Sequence, residues 1–145
     1  MIRIALLGPE DRSVLNSVDP DLFDLPVQAA LTEEFLADPR HHIAVAIERT
    51  SVVGFASAVH YVHPDKPADL WINEVGVADG HRRRGIARRL LMALLEHADA
   101  LGCREAWVLT ERDNLPAMAL YESAGGREAP DDVVMFSFGA DHEAR

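Results

Sequence analysis

Val77-Ala78-Asp79-Gly80-His81-Arg82-Arg83-Arg84-Gly85-Ile86-Ala87 runs from the end of a strand, through a turn, into a helix. A helix start presents unpaired N–H groups and the positive end of the helix dipole, which together make an anion site. Gly85 and Ala87 remove side-chain bulk where an anion must approach the backbone, and the arginines add charge-assisted donors. A solvated basic helix face would account for Arg88 and Arg89, but not for the small residues at 85 and 87. The segment is suited to a pyrophosphate. It is not a Walker A loop, because no Gly-Lys-Ser/Thr follows, nor the Gly-x-Gly-x-x-Gly of a dinucleotide fold.

On the N-terminal side of this loop the chain reads mainly as strand. Leu70 to Val77 leads directly into it, and Ile43 to Ile47 and Val52 to Val62 form a hairpin around Glu48-Arg49-Thr50-Ser51. Ile2 to Leu7 is a first strand ended by Gly8-Pro9. Val14, Leu15 and Val18 then fit a helical period, and Val27, Ala30, Leu31, Phe35 and Leu36 predict a second helix from Pro26 to Asp38-Pro39. On the C-terminal side, Ile86, Leu90, Leu94, Ala98 and Leu101 line one face of a helix over 85–101, closed by Gly102. Ala106 to Leu109 is a short buried strand. Asn114 is placed to cap a further helix, Pro116 is tolerated in its first turn, and Gly125-Gly126 stops it. Val133 to Phe138 reads as a last strand, and the polar tail over 139–145 as loose. This order predicts a single α/β domain over 1–145, of mixed α+β type. Its sheet is mostly antiparallel with one parallel pair, Leu70 to Val77 beside Ala106 to Leu109, and about four helices flank it.

The chain of 145 residues carries 24 acidic against 14 basic side chains, a formal charge of −10. That balance argues against a nucleic-acid binder, which needs cationic surface to displace phosphate counterions, and suits a cationic partner or simple solubility. Five arginines between 82 and 89 reverse the charge locally. The single Cys103 cannot form an internal disulfide and reads as a small buried thiol. No apolar run approaches the length of a membrane helix, and the N-terminus lacks the features of a signal peptide, so the expected location is the cytoplasm, with no membrane partner.

Arg82-x-x-Gly85-x-Ala87, preceded by Val75-Gly76-Val77, resembles the acyl-CoA signature of the GNAT N-acetyltransferase superfamily. The stretch Asn114-Leu115-Pro116-Ala117-Met118-Ala119-Leu120-Tyr121-Glu122-Ser123-Ala124-Gly125-Gly126 is similar to that superfamily's second signature. The resemblance covers Ile2 to Phe138 and implies acetyl-CoA as co-substrate without a metal. The pyrophosphate would lie on the backbone of Arg82, Arg83, Arg84, Gly85, Ile86 and Ala87, and the pantetheine arm in a strand gap along Val75, Gly76 and Val77, with Asn114 also toward the cofactor. A glycine inside a strand often marks a bulge or a close approach, which fits Gly76, although an ordinary packing glycine fits as well.

Amine acetylation needs a neutral amine and a proton for the departing thiolate. The resemblance implies Tyr121 as general acid, and a phenol of pKa about 10 can protonate a thiolate whose acid lies near 8.5. On helix pattern alone Tyr121, sharing a face with Ala117, Leu120 and Ala124, is equally a core residue. Glu74 is the candidate base, since a carboxylate inside an apolar strand is costly unless used or paired, and burial would raise its pKa. Glu111 and Asp113 are in reserve, and an ordered water could replace a side-chain base.

Asp21-Leu22-Phe23, Tyr61-Val62-x-Pro64 and Trp71-Ile72-Asn73-Glu74-Val75-Gly76-Val77 resemble stretches of aminoglycoside 3-N-acetyltransferase-type proteins. A small, polycationic amine such as an aminoglycoside or polyamine is therefore the expected acceptor, and a homodimer the family habit. A peptide amine as acceptor, or an acyl-CoA sensor without turnover, are the alternatives. His60 and His63, three apart in a strand, face opposite sides and predict pocket or surface histidines rather than a metal pair. His41-His42 is assigned to a loop. Trp71 fits either the core or the acceptor cleft.

Overall fold

The computed structural model describes residues 1–130 and 132–139. Five strands, β1 (Ile2–Leu6), β2 (His41–Glu48), β3 (Ser51–Tyr61), β4 (Asp69–Val77) and β5 (Glu105–Val108), form one sheet in the order β1-β2-β3-β4-β5. Neighbours are antiparallel except β4 and β5, which are parallel. The helices are α1 (Ala29–Ala37), α2 (Ile86–Ala100) and α3 (Leu115–Ser123), with 3₁₀ helices at Pro9–Asn16 and Asp79–His81.

The period-2 alternation of the strands sorts their side chains by size. Ala44 and Ala46 of β2 and Ala56 and Ala58 of β3 face α2, where Ile86, Leu90, Leu91, Leu94 and Ala98 pack onto them. Methyl-sized residues on the sheet let the bulky face of the helix approach closely. Ile43, Val45 and Ile47, with Val52 and Phe55, point the other way against Leu15 and Leu36. The sheet is thus covered on both faces, which is why β2 reads as an unbroken apolar run. Leu101 falls outside this face and is 37% exposed, because α2 ends at Ala100 and Gly102, at φ 77°, turns the chain away.

The hairpin between β2 and β3 turns over Arg49 and Thr50 alone, with Arg49 at φ 58°. Helix α1 begins at Ala29 rather than Pro26, since Gln28 is still extended. His41 and His42 belong to β2, paired with Val59 and Ala58, and not to a loop. Gly125, at φ 94°, ends α3: its N–H donates to Glu122 O, and that of Gly126 to Tyr121 O. The expected strand Val133 to Phe138 does not form. Among the described residues no strand is formed over 133–138: Val133 N–H donates to Pro130 O in a turn, and Val134, Met135, Phe136 and Phe138 are exposed. The tail expected to be loose lies, beyond Gly139, outside the described residues.

The feature that positions the site is in β4. Ser57 pairs with Glu74 and Ala58 with Ile72, so Asn73 bulges out of register. The parallel pairing with β5 covers only Asp69 to Ile72 and stops at the bulge. From Asn73 to Val77 the strand is bonded on the β3 side alone.

Candidate active site

Beyond Val77 the chain makes the 3₁₀ turn Asp79–His81 and then two left-handed residues, Arg83 at φ 63° and Gly85 at φ 75°. Gly85 is the N-cap of α2 and offers no capping side chain; the helical hydrogen bonds begin at Arg89 N–H to Gly85 O, 3.2 Å. The first N–H groups of α2 are therefore free to meet an anion. A Cβ on Gly85 would touch no other part of the chain within 4 Å, and at φ 75° the glycine suits the left-handed backbone. Ile86 is 2% exposed and can offer a ligand only its N–H, whereas Ala87 is half-buried beside it.

The arginines divide the work. Arg88 and Arg89 donate to Ser123 O and Ile2 O, at 3.3 and 3.2 Å, and so tie α2 to α3 and β1. Arg82 lies 3.0 Å from Asp79, and Arg84 3.9 Å from Glu48. Arg83 is exposed and forms no ion pair among the described residues. The turn is pinned to the end of β2 by His81 Nε2, 2.8 Å from Glu48 Oε1, and that hydrogen bond holds the Glu48 carboxyl below the usual range against the opposing effect of burial. Sequence reasoning passed over Glu48 and His81; 33 residues separate them, and only the fold brings them together.

Val75, Gly76 and Val77 lie half-buried on the unpaired side of β4. A Cβ on Gly76 would stand 3.2 Å from Phe55 Cε1 and 3.7 Å from Leu22 O, so the close approach at this glycine is that of Phe55. Glu74, on the same face as Gly76, is exposed and lines a cavity of about 390 Å³ bounded by α1 and the loop before it. The sequence argument that burial adapts Glu74 therefore fails: it reaches the cavity from an exposed strand position. Tyr121 is half-buried on α3 against the α2-side core, and burial pushes its phenol above the ordinary value of 10. It lines a second cavity of about 390 Å³, beside Trp107 and Leu109. The two candidate catalytic side chains thus line different cavities. Glu111 and Asp113 line neither, and their carbonyls accept from Asn114 and Leu115 N–H in the turn before α3. Asn114 Oδ1 caps α3, accepting from Ala117 N–H at 3.2 Å.

His42, His60, His63 and His97 lie elsewhere. His42 Nε2 lies 2.8 Å from His60 Nδ1, and His42 Nδ1 3.1 Å from His97 Nε2. The two contacts use opposite nitrogens of one ring, so the three imidazoles form a chain instead of converging on a point. His42 is 8% exposed, and burial, followed by the neighbouring histidines His97 and His60, lowers its pKa to about 4. His63 bonds the buried Asp69, which also pairs with Arg104. His60 lies in β3 but His63 lies beyond its end, so the expectation of opposite strand faces does not apply; the two meet different partners, and neither lines the Glu74 cavity. Trp71 stacks on Trp107 at 5.1 Å and remains 37% exposed. Burial raises the Cys103 thiol pKa, which suits an inert thiol.

The parallel pair of this mixed sheet opens midway, and the open strand leads into an uncapped helix N-terminus. Residues 12–126 match the Acetyltransferase (GNAT) family, and the chain belongs to it.

Mycothiol acetyltransferase of Thermobifida fusca (strain YX) is 35% identical over 127 residues, covering 82% of this chain and 38% of that protein. The N-alpha-acetyltransferase RimI of Mycobacterium tuberculosis (strain H37Rv) is 29% identical over 126 residues, covering 86% and 77%. The chain spans 27–38% of the length of the first mycothiol acetyltransferases it matches. Among solved structures, an aminoglycoside acetyltransferase from an uncultured soil metagenomic sample superposes with a TM-score of 0.78 at 24% identity, covering 97% of this chain and 99% of that one. AAC(6')-Iy, in complex with the bisubstrate analogue CoA-S-monomethyl-acetylneamine, gives 0.77 at 20% identity with the same coverage. At these identities the likeness is one of fold. No helix among the described residues is long and apolar enough to cross a membrane.

Proposed function

We propose that this chain transfers the acetyl group of acetyl-CoA to a primary amine of a small cationic acceptor, directly, in a ternary complex. The observation that carries the reading is the run from the open half of β4 into the uncapped start of α2. The free N–H groups from Arg82 to Ala87, with the guanidinium groups of Arg82, Arg83 and Arg84, suit a pyrophosphate. The backbone of Val75 to Val77, unpaired on one side, suits the amides of a pantetheine arm. Asn114 fixes the start of α3 and so the position of Tyr121.

The amine nitrogen attacks the thioester carbonyl, the C–S bond breaks, and the thiolate takes up a proton. Glu74 accepts the proton that the acceptor's ammonium must lose. Tyr121, a phenol already protonated at neutral pH and pushed further up by burial, donates to the thiolate and is restored by the proton that the attacking nitrogen loses as the amide forms. Support for a cationic acceptor comes from the net charge of −10 and from the aminoglycoside acetyltransferases that share the fold. The RimI relative, most of whose length this chain covers, favours a peptide amine as the second reading.

Release of CoA thiol, measured with amines and short peptides as acceptors, tests the proposal. Tyr121→Phe and Glu74→Gln should each lower kcat by about 10²- to 10⁴-fold while acetyl-CoA affinity is kept. Binding of acetyl-CoA without thiol release to any amine would leave a sensor module and remove the acid and base assignments.

A further inference from the structure

The cavity beneath Glu74 has a composition that a polycation does not match. Of its fourteen lining residues two are charged, Asp24 and Glu74, and both are carboxylates. The walls are Phe23, Val27, Leu31 and Phe35, with Phe55 at the base. Phe23 stacks on Phe55 at 4.1 Å, so the floor is a fixed aromatic surface. Leu25 and Leu31 stand 73% and 56% exposed at the rim, apolar surface left uncovered by the described residues. The cavity is continuous with the open half of β4, because Phe55 pairs with Gly76 and Ser57 with Glu74.

We infer that the acceptor is an amphiphilic primary monoamine, whose ammonium group meets Asp24 and Glu74 and whose apolar body lies against Leu31, Phe35 and Phe55. Asp24 and Glu74 are the charged groups of the lining, so an ammonium finds its counter-charge at these two residues. A further ammonium would meet apolar wall or the uncharged side chains of Gln28, Thr32 and Ser57, and gains less there than at a carboxylate. An alkyl or aryl body there removes apolar surface from water on both sides. The inference rests on the acetyltransferase reading for the amine's role as acceptor, and it narrows the cationic acceptor of that reading to one with a single charge.

Calorimetric binding of n-alkylamines to the CoA-bound protein tests it. From propylamine to hexylamine the affinity should rise by roughly fourfold per methylene. Spermidine and the aminoglycoside sisomicin should bind more weakly than hexylamine. Leu31→Asn, a polar change of similar shape at an exposed helix position, should flatten the series while acetyl-CoA affinity holds; Asp24→Asn should weaken every member equally. A flat series in the parent protein, tighter binding of spermidine or sisomicin than of hexylamine, or an unchanged slope in Leu31→Asn would each overturn the inference. Thiol release separates it from the proposed function. Alkylamines that bind with the expected slope but are never acetylated would sink the enzymatic reading and leave the cavity's preference standing, whereas acetylation of polycations alone would do the reverse.

Discussion

The two halves of β4 are made of similar residues and have opposite fates. Asp69 to Ile72 is bonded on both sides, with Leu70 at 0% and Ile72 at 3% exposure under α2. Asn73 to Val77 has lost β5, carries the bulge, and is half-buried or exposed throughout. The first half stabilises the fold and the second exposes backbone and Glu74 to ligands. The proposed chemistry lies where the ladder stops, because there a ligand can reach main-chain donors and acceptors that a complete sheet would have used.

Leu70→Ala attacks the buried half. It should lower stability by about 2–5 kcal/mol in urea denaturation, since the cavity left between sheet and α2 cannot fully collapse. Glu74→Gln, four residues on, should leave the urea midpoint unchanged. An equal loss of stability for both would erase the distinction between the halves.

The next largest effect is that of acid. His42 belongs to the same closed face as Leu70, between β2, β3 and the last turn of α2, where His60, His97 and the flanking His41 and Asp38 act on it. Its folded pKa of about 4 is below the ordinary 6.5, so the unfolded chain takes the proton more readily. Stability should be full above about pH 6.5 and fall by up to about 3 kcal/mol as the pH approaches 4. Denaturation curves across that range, repeated with His42→Asn, should show the slope reduced in the variant, the remainder coming from His60, Asp38 and Glu48, whose pKa values are also lowered. Acetyl-CoA affinity measured over the same range should not follow it.

Gly76→Ala probes the open half from its packed side. A methyl group 3.2 Å from Phe55, itself held by Phe23, should cost about 1–3 kcal/mol in thermal denaturation and reshape the floor of the Glu74 cavity. A neutral result would mean that Phe55 is free to shift. The smallest effect is expected at Asn114→Ala, about 1 kcal/mol from the lost cap. If acetyl-CoA affinity falls further than stability does, Asn114 serves the cofactor as well as the helix.

Much of this was legible in the residues, for a local reason. The Arg82 to Ala87 turn, the capped helix from Asn114 to Gly125-Gly126 and the periodicity of α2 are written in backbone preferences and spacings that act within a few residues. The element order then allowed few topologies, so the single mixed domain with its β4–β5 parallel pair could be stated in advance. Val133 to Phe138 shows where that reasoning fails. Its residues favour a strand, but a strand also requires a partner edge, and propensity does not supply one.

What the tertiary structure alone decided depends on register and on distant pairs. The bulge at Asn73 and the point where β5 leaves β4 turn an apolar-looking strand into an open edge, and make Glu74 exposed where composition argued for burial. Glu48 meets His81 across 33 residues, and His42 meets His97 across 55, contacts that no local pattern announces. The separation of Glu74 and Tyr121 into two cavities is of the same kind. Local sequence sets which conformations each segment prefers, whereas packing sets which side chains, remote along the chain, come to share a space.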